Sequence, residues 1–94
     1  RVTVIDYGRG FEPADVFGTP DDRFLLVGLT GSDSVEVFDL AMPVPASVQW
    51  IPTGKGAHAF RAVGDRRHVL VSNRVANTIS KIDFRTMTVV DQYP

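Results

Sequence analysis

The sequence contains no cysteine. That excludes a disulfide scaffold and any metal site built on thiolates. No apolar run is long enough to span a bilayer. The opening lacks the basic–apolar–small order of a secretory leader, and the first residue is Arg1 rather than Met. Charge of one sign is also missing. Ten Lys and Arg stand against eleven Asp and Glu, for a net charge of −1, so there is no bulk basic footprint for nucleic acid. No segment holds a helical apolar period. No phosphate-loop sequence occurs, and no Ser-His-Asp or paired-carboxylate arrangement can be argued from spacing. No catalytic residue and no metal ligand set is therefore assigned.

What is present is an ordinary globular composition, 44% hydrophobic and 22% charged. The charge is unevenly spread. Residues 1–53 carry three basic side chains against eight acids, and residues 54–94 carry seven against three. Such asymmetry fits two neighbouring units that attract each other, or an interaction surface.

The chain also repeats itself. Gly10 falls on Gly54, a displacement of 44 residues. At that displacement "PDDRFLLVG" (Pro20 to Gly28) falls on "GDRRHVLVS" (Gly64 to Ser72), and "SDSVEVFD" (Ser32 to Asp39) falls on "ANTISKID" (Ala76 to Asp83). Each unit reads as four short strands rich in Val, Ile and Phe and punctuated by turn residues. In the second unit they are expected over Ala59–Val63, His68–Asn73, Thr78–Asp83 and Thr88–Tyr93. "FLLV" and "HVLV" are continuous apolar runs, the mark of a strand buried on both faces. A repeat of this length with four strands is the signature of a propeller blade. The fold class expected is all-β, with two four-stranded antiparallel blades of a partial β-propeller. Residues 1–9 read as the closing strand of a preceding blade, 10–53 as one blade and 54–94 as the next.

Several expectations follow. Leu25, Val27, Val35, Leu70, Ile79 and Ile82 should be buried. Asn73 and Asn77 should shape the loop between the second and third strands, because Asn tolerates left-handed backbone and bonds nearby amides. Asp83 and its counterpart Asp39 should open turns, with Thr86 as a partner for Asp83. Arg66, a long side chain, argues against positive φ at its turn. Trp50 and Tyr93 read as packing residues.

The stretch "GDRRHVLVSNRVANTISKIDFRTMTVVDQYP" resembles the YVTN-type propeller repeat. Gly10 and Pro13 fit the opening of that repeat, and Pro20, Asp21 and Arg23 fit its Pro-Asp-Gly-Lys/Arg turn. Leu70 to Asn73 fit its "YVAN" strand and Asn77 to Asp83 its "NTVSVID" strand. The turn glycine is replaced by Asp22 and Arg66, the second proline by Ala57, and Leu29 stands opposite Asn73. The resemblance covers nearly the whole chain. It implies a seven- or eight-bladed propeller of an exported, periplasmic or extracellular bacterial protein, similar to the haem-binding propeller of cytochrome cd-type nitrite reductases. It implies no particular reaction, since a fold does not fix activity.

Two blades do not close a ring, and an uncapped repeat leaves apolar faces and strand edges open. The partners expected are the remaining blades of a longer chain, or copies of the same chain meeting through open blade ends. A non-catalytic binding module is the leading functional reading. A haem-dependent oxidoreductase-type propeller is the alternative. For the latter the candidate cofactor-binding residues are His58, Lys55 and Arg61. His58 follows the "GKGA" loop into the strand that would line the channel, and imidazole is a common iron ligand. Lys55 would balance carboxylate or phosphate charge. Arg61 should fall on the strand face opposite His58. A lone histidine makes no metal site, and a hydrogen-bonded loop histidine is the plainer reading. His68, beside the "DRR" turn, reads as a solvated edge residue. "GRGFEP" and "GKGAHA" each place a basic residue between glycines, where amides can cradle an anion.

Overall fold

The computed structural model describes residues 7, 8 and 10–94. Among them are eight strands: β1 (Pro13–Gly18), β2 (Phe24–Leu29), β3 (Ser34–Asp39), β4 (Ala46–Pro52), β5 (Ala57–Ala62), β6 (His68–Asn73), β7 (Thr78–Asp83) and β8 (Thr88–Tyr93). They form two antiparallel four-stranded sheets in simple sequential order, β1-β2-β3-β4 and β5-β6-β7-β8. These are two blades, as the repeat implies. The expected closing strand over 1–9 lies, apart from Tyr7 and Gly8, outside the described residues. No helix among the described residues is long and apolar enough to cross a membrane.

The turns show why the repeat folds as it does. The Asp21 Oδ1 accepts the amide of Arg23, and the Asp65 Oδ1 accepts those of Arg67 and His68. This is the local Asx geometry that lets a short side chain replace a backbone turn bond. Asn77 sits at φ 60°, and its amide bonds back to the Asn73 carbonyl at 2.8 Å. Its counterpart Asp33 sits at φ 56°. Asn73 does more than shape the loop. It is buried, and its Nδ2 donates to the hydroxyls of Thr78 and Ser80.

Strands β6, β7 and β8 have the expected bounds. β5 begins two residues early, because Ala57 still pairs with Asn73 across a bulge before Phe60 pairs with Val71. A bulge frees backbone amides from the ladder, and both are recovered by side chains. Ser72 Oγ accepts from the Ala59 amide at 3.2 Å, and Asp15 of the other blade accepts from the Phe60 amide at 3.0 Å.

The blades stack face to face in a body only 17 Å thick along its shortest axis. The main core lies between them. Leu26, Val35, Val37 and Ile51 from the first blade meet Phe60, Val69, Val71 and Ile82 from the second. Phe17 extends this core, stacked on Phe84 at 5.8 Å. A smaller cluster, Val27, Leu29 and Phe38, covers the other face of the first blade under Tyr7 and Phe11. That face is not open.

The second blade differs. Its β6 alternates half-buried and buried residues, so "HVLV" is covered on one face only. Leu70 is half-buried and Ile79 is 39% exposed, against the expectation of burial for both. Leu25 is likewise only half-buried. Val27, Val35 and Ile82 are buried as expected. The physical reason lies in the repeat. Leu26 and Val35 point into the blade junction, while their counterparts one repeat on, Leu70 and Ile79, point to the face where a third blade would stack.

Candidate functional site

The loop that leads into β5 is the first candidate. Its glycines are needed by close approach. Gly56 has φ 81°, and a Cβ there would lie 2.7 Å from the Val75 amide nitrogen. A Cβ on Gly54 would lie 2.8 Å from the Nδ2 of Asn73. The loop carbonyls of Lys55 and Gly56 accept the amides of Val75, Ala76 and Arg74. Its anion-cradling amide is already used: Gly56 N–H donates to the Asp33 carboxylate of the first blade at 2.9 Å. The glycine loop is therefore a blade-to-blade clasp. Thr30 completes it by donating its hydroxyl to the Ala57 carbonyl at 2.6 Å.

His58 follows on β5. It is half-buried, and its imidazole makes no hydrogen bond or ion pair among the described residues. Lys55 is exposed at the start of the strand. Arg61 is exposed at the far end, beside Leu70 and Ile79 on the open blade face. Lys55 lies in the turn before β5 and Arg61 near the far end of that strand, and the two line no common pocket among the described residues. The β5 bulge also breaks the strict alternation on which the placing of Arg61 opposite His58 depends. No three His, Cys, Asp or Glu side chains among the described residues group as a metal holder.

His68 departs from expectation. It is not a solvated edge residue. Its side chain is largely buried, with Nδ1 2.5 Å from Asp65 Oδ2 and Nε2 3.7 Å from Asp83 Oδ2. The imidazole hydrogen bond, aided by two backbone amides, holds the Asp65 carboxyl far below its ordinary range. An ionised carboxylate accepts only, so Nδ1–H is the donor. The spacing Asp65-x-x-His68 was the readable signal, an Asx turn whose second oxygen faces back toward the strand.

Asp83 opens its turn as expected, but Thr86 is not its partner. The Thr86 hydroxyl bonds Thr88 instead. Asp83 accepts from the Arg67 guanidinium and from the Arg85 amide, and these lower its carboxyl's pKa, the guanidinium most. Asp39 takes Arg23 and the Ala41 amide in the same way. Arg66 adopts φ 60°. The turn does require left-handed backbone, and the sequence places an arginine where glycine would be cheapest. Trp50 packs its ring against Phe11 at 5.8 Å but stays partly exposed, as does Tyr93.

Glu36 was not foreseen as a buried group. One oxygen accepts from the Ser47 hydroxyl, and the other is buried without a hydrogen bond, as is the Tyr7 hydroxyl. Burial, together with the carboxylate beside it, pushes the Tyr7 phenol well above its usual value.

The second candidate is the open face itself: Ala59, Arg61, Leu70, Ser72 and Ile79 form a shallow, mainly apolar depression. It offers packing surface, one cation and the Ser72 hydroxyl, which is bonded to the Ala59 backbone with no base among the lining residues.

No curated protein matches the sequence. The profile of the YNCE-like beta-propeller family matches residues 5–94. With two four-stranded blades stacked by a 44-residue repeat and a match over nearly its whole length, the chain belongs to the YNCE-like beta-propeller family.

Proposed function

We propose that this chain is a non-catalytic interaction module of an exported propeller protein, and that it binds through the open face of its second blade. One observation carries the reading. The face that holds Leu26 and Val35 in the blade junction is repeated one unit on as Leu70 and Ile79, with nothing among the described residues stacked on it. The fitting occupant is a further blade, either from a longer chain or from another copy. Asn77, the counterpart of the Asp33 clasp residue, is exposed beside this face with its amide side chain unpaired among the described residues, ready to accept a loop amide as Asp33 does. Size exclusion with light scattering on the isolated 94-residue chain tests this. The wild type should run larger than its 10.3 kDa monomer, and Ile79→Glu should shift it towards the monomer. A wild-type monomer would remove another copy as the occupant, and a bare Ile79 face in the full-length protein would contradict the proposal.

The haem-dependent reading rests on His58, whose half-buried imidazole is unpaired among the described residues. The residues here fit haem incompletely. His68, the second histidine, is at the other end of the β5–β6 pair and engaged with Asp65. His58 is thus the one imidazole that would hold the iron from this chain, and no reaction step is derived through the group. A visible spectrum of the full-length protein decides: a Soret band lost in His58→Ala supports haem binding there, and its absence in the wild type removes the reading.

A further inference from the structure

Between the two blades, on the side of the β1–β2 and β5–β6 turns, lies a groove of about 540 Å³. That is within the usual size of small-molecule sites. Its floor is aromatic: Phe24 from the first blade and Phe84 from the second, both half-buried. Its two walls differ in charge. Arg66, Arg67 and Arg85 come from the second blade, and Asp21 is the single carboxylate, on the first.

The three arginines are not equivalent. Arg67 is committed to Asp83. Arg66 donates from Nη2 to the Pro20 carbonyl across the groove mouth at 3.3 Å, leaving its other donors open. Arg85 makes no side-chain hydrogen bond or ion pair among the described residues. Asp21 accepts the Thr19 hydroxyl and the Arg23 amide on its own wall and makes no ion pair with the arginines opposite among the described residues, so three guanidinium groups face one carboxylate.

The backbone at Arg66 takes the left-handed form that this turn has in both blades. At φ 60° a long side chain is in left-handed backbone, a conformation that glycine takes freely and Asn or Asp tolerate, and that is unfavourable for other residues. Its counterpart in the first blade is Asp22, a residue type that tolerates this region. The Arg66 guanidinium lines the groove mouth.

We propose that this groove binds a small organic anion, a carboxylate or phosphate head on a flat apolar body. The head pairs with Arg66 and Arg85, whose planar forks suit either oxyanion, and the body lies over Phe24 and Phe84. The site is separate from the open face of the second blade and does not depend on what docks there.

Isothermal titration of the full-length protein with phenyl phosphate, phenylacetate, inorganic phosphate and benzyl alcohol tests the proposal. One of the two aromatic anions should bind at a single site, at least about tenfold tighter than benzyl alcohol, which lacks the charge-assisted hydrogen bonds, and than inorganic phosphate, which lacks the apolar body. The tighter of the two identifies the head group. Arg85→Ala and Arg66→Gly should each weaken it about tenfold on the same grounds. Arg66→Gly should do so without lowering the unfolding temperature, because glycine relieves the left-handed backbone. Absence of saturable binding by both aromatic anions, equal binding of inorganic phosphate, or wild-type affinity in either variant would overturn the proposal.

Discussion

Arg67 donates from both Nε and Nη2 to one carboxylate oxygen of Asp83, at 3.2 and 3.0 Å. One repeat earlier, Arg23 and Asp39 make the same clamp in a two-oxygen form, at 3.2 Å each. The difference follows from what else each carboxylate holds. Asp83 is more deeply buried, uses its other oxygen for the Arg85 amide, and has His68 at 3.7 Å. Asp39 takes the same set of donors, one guanidinium and the Ala41 amide, but removing Asp83 strands its donors in a more buried place. We expect Asp83→Ala to lower the unfolding midpoint more than Asp39→Ala. Arg67→Lys should not restore the wild-type midpoint, because an ammonium lacks the planar fork. Thermal melts of the three variants check the order.

The clamps also set a response to acid. Asp39, Asp65 and Asp83 all have carboxyls held below their ordinary value of 3.8, chiefly by Arg23, His68 and Arg67 in turn. The unfolded chain then takes up protons before the folded one does. The stability these groups contribute is complete above about pH 5 and is lost as pH falls past the unfolded value and through the lowered folded values. Melting temperature should be flat from about pH 7 to 5 and drop below about pH 4, with a shallower drop in Asp65→Asn. A melting temperature that rises on acidification would contradict these assignments.

Leu26 and Leu70 occupy the same place in the repeat but not in the packing. Leu26 is fully buried between the blades, so Leu26→Ala should cost about 2–5 kcal/mol. Leu70 faces the open side, and Leu70→Ala in the isolated chain should cost less, about 1–2 kcal/mol. Chemical denaturation of both variants measures the gap.

Gly31 marks a tighter limit. A Cβ there would lie 1.8 Å from the Gly10 carbonyl oxygen, with backbone rather than a flexible side chain in the way. Its amide also bonds the Phe11 carbonyl at 2.9 Å. Gly31→Ala should push residues 10 and 11 off the first blade, uncover Val27 and Leu29, and cost on the order of several kcal/mol. Loss of the Phe11–Trp50 contact would appear as a red shift in Trp50 fluorescence.

Much of this was legible in the sequence, for reasons particular residues show. The strands and their order follow from the self-match of "PDDRFLLVG" and "SDSVEVFD", because apolar runs and Asx turns are local properties. Asn77 could be placed in its turn on the same grounds. Burial on the second blade could not be read that way. Leu70 and Ile79 have the composition of a core whether or not a third blade is present, so local pattern cannot tell a packed face from an open one. The Arg66 turn misled because side-chain size argues against left-handed backbone, while the turn, shared with Asp22, imposes it. Among the candidate site residues, Lys55 and Arg61 were grouped by proximity in sequence, yet a strand laid between them holds them apart. The clasp through Asp33 and Gly56 joins residues 23 apart in sequence, and spacing alone carries no signal for it.

The most direct test of the open-face account is solvent access at Ile79 in the full-length protein. This stretch has no cysteine of its own, so Ile79→Cys can be compared with Val75→Cys, which is 68% exposed on a neighbouring loop. If a further blade covers the face, maleimide should label position 79 at least about tenfold more slowly than position 75 under native conditions, because labelling must await local opening. Equal rates would show the face to be bare in the native protein and would contradict the account.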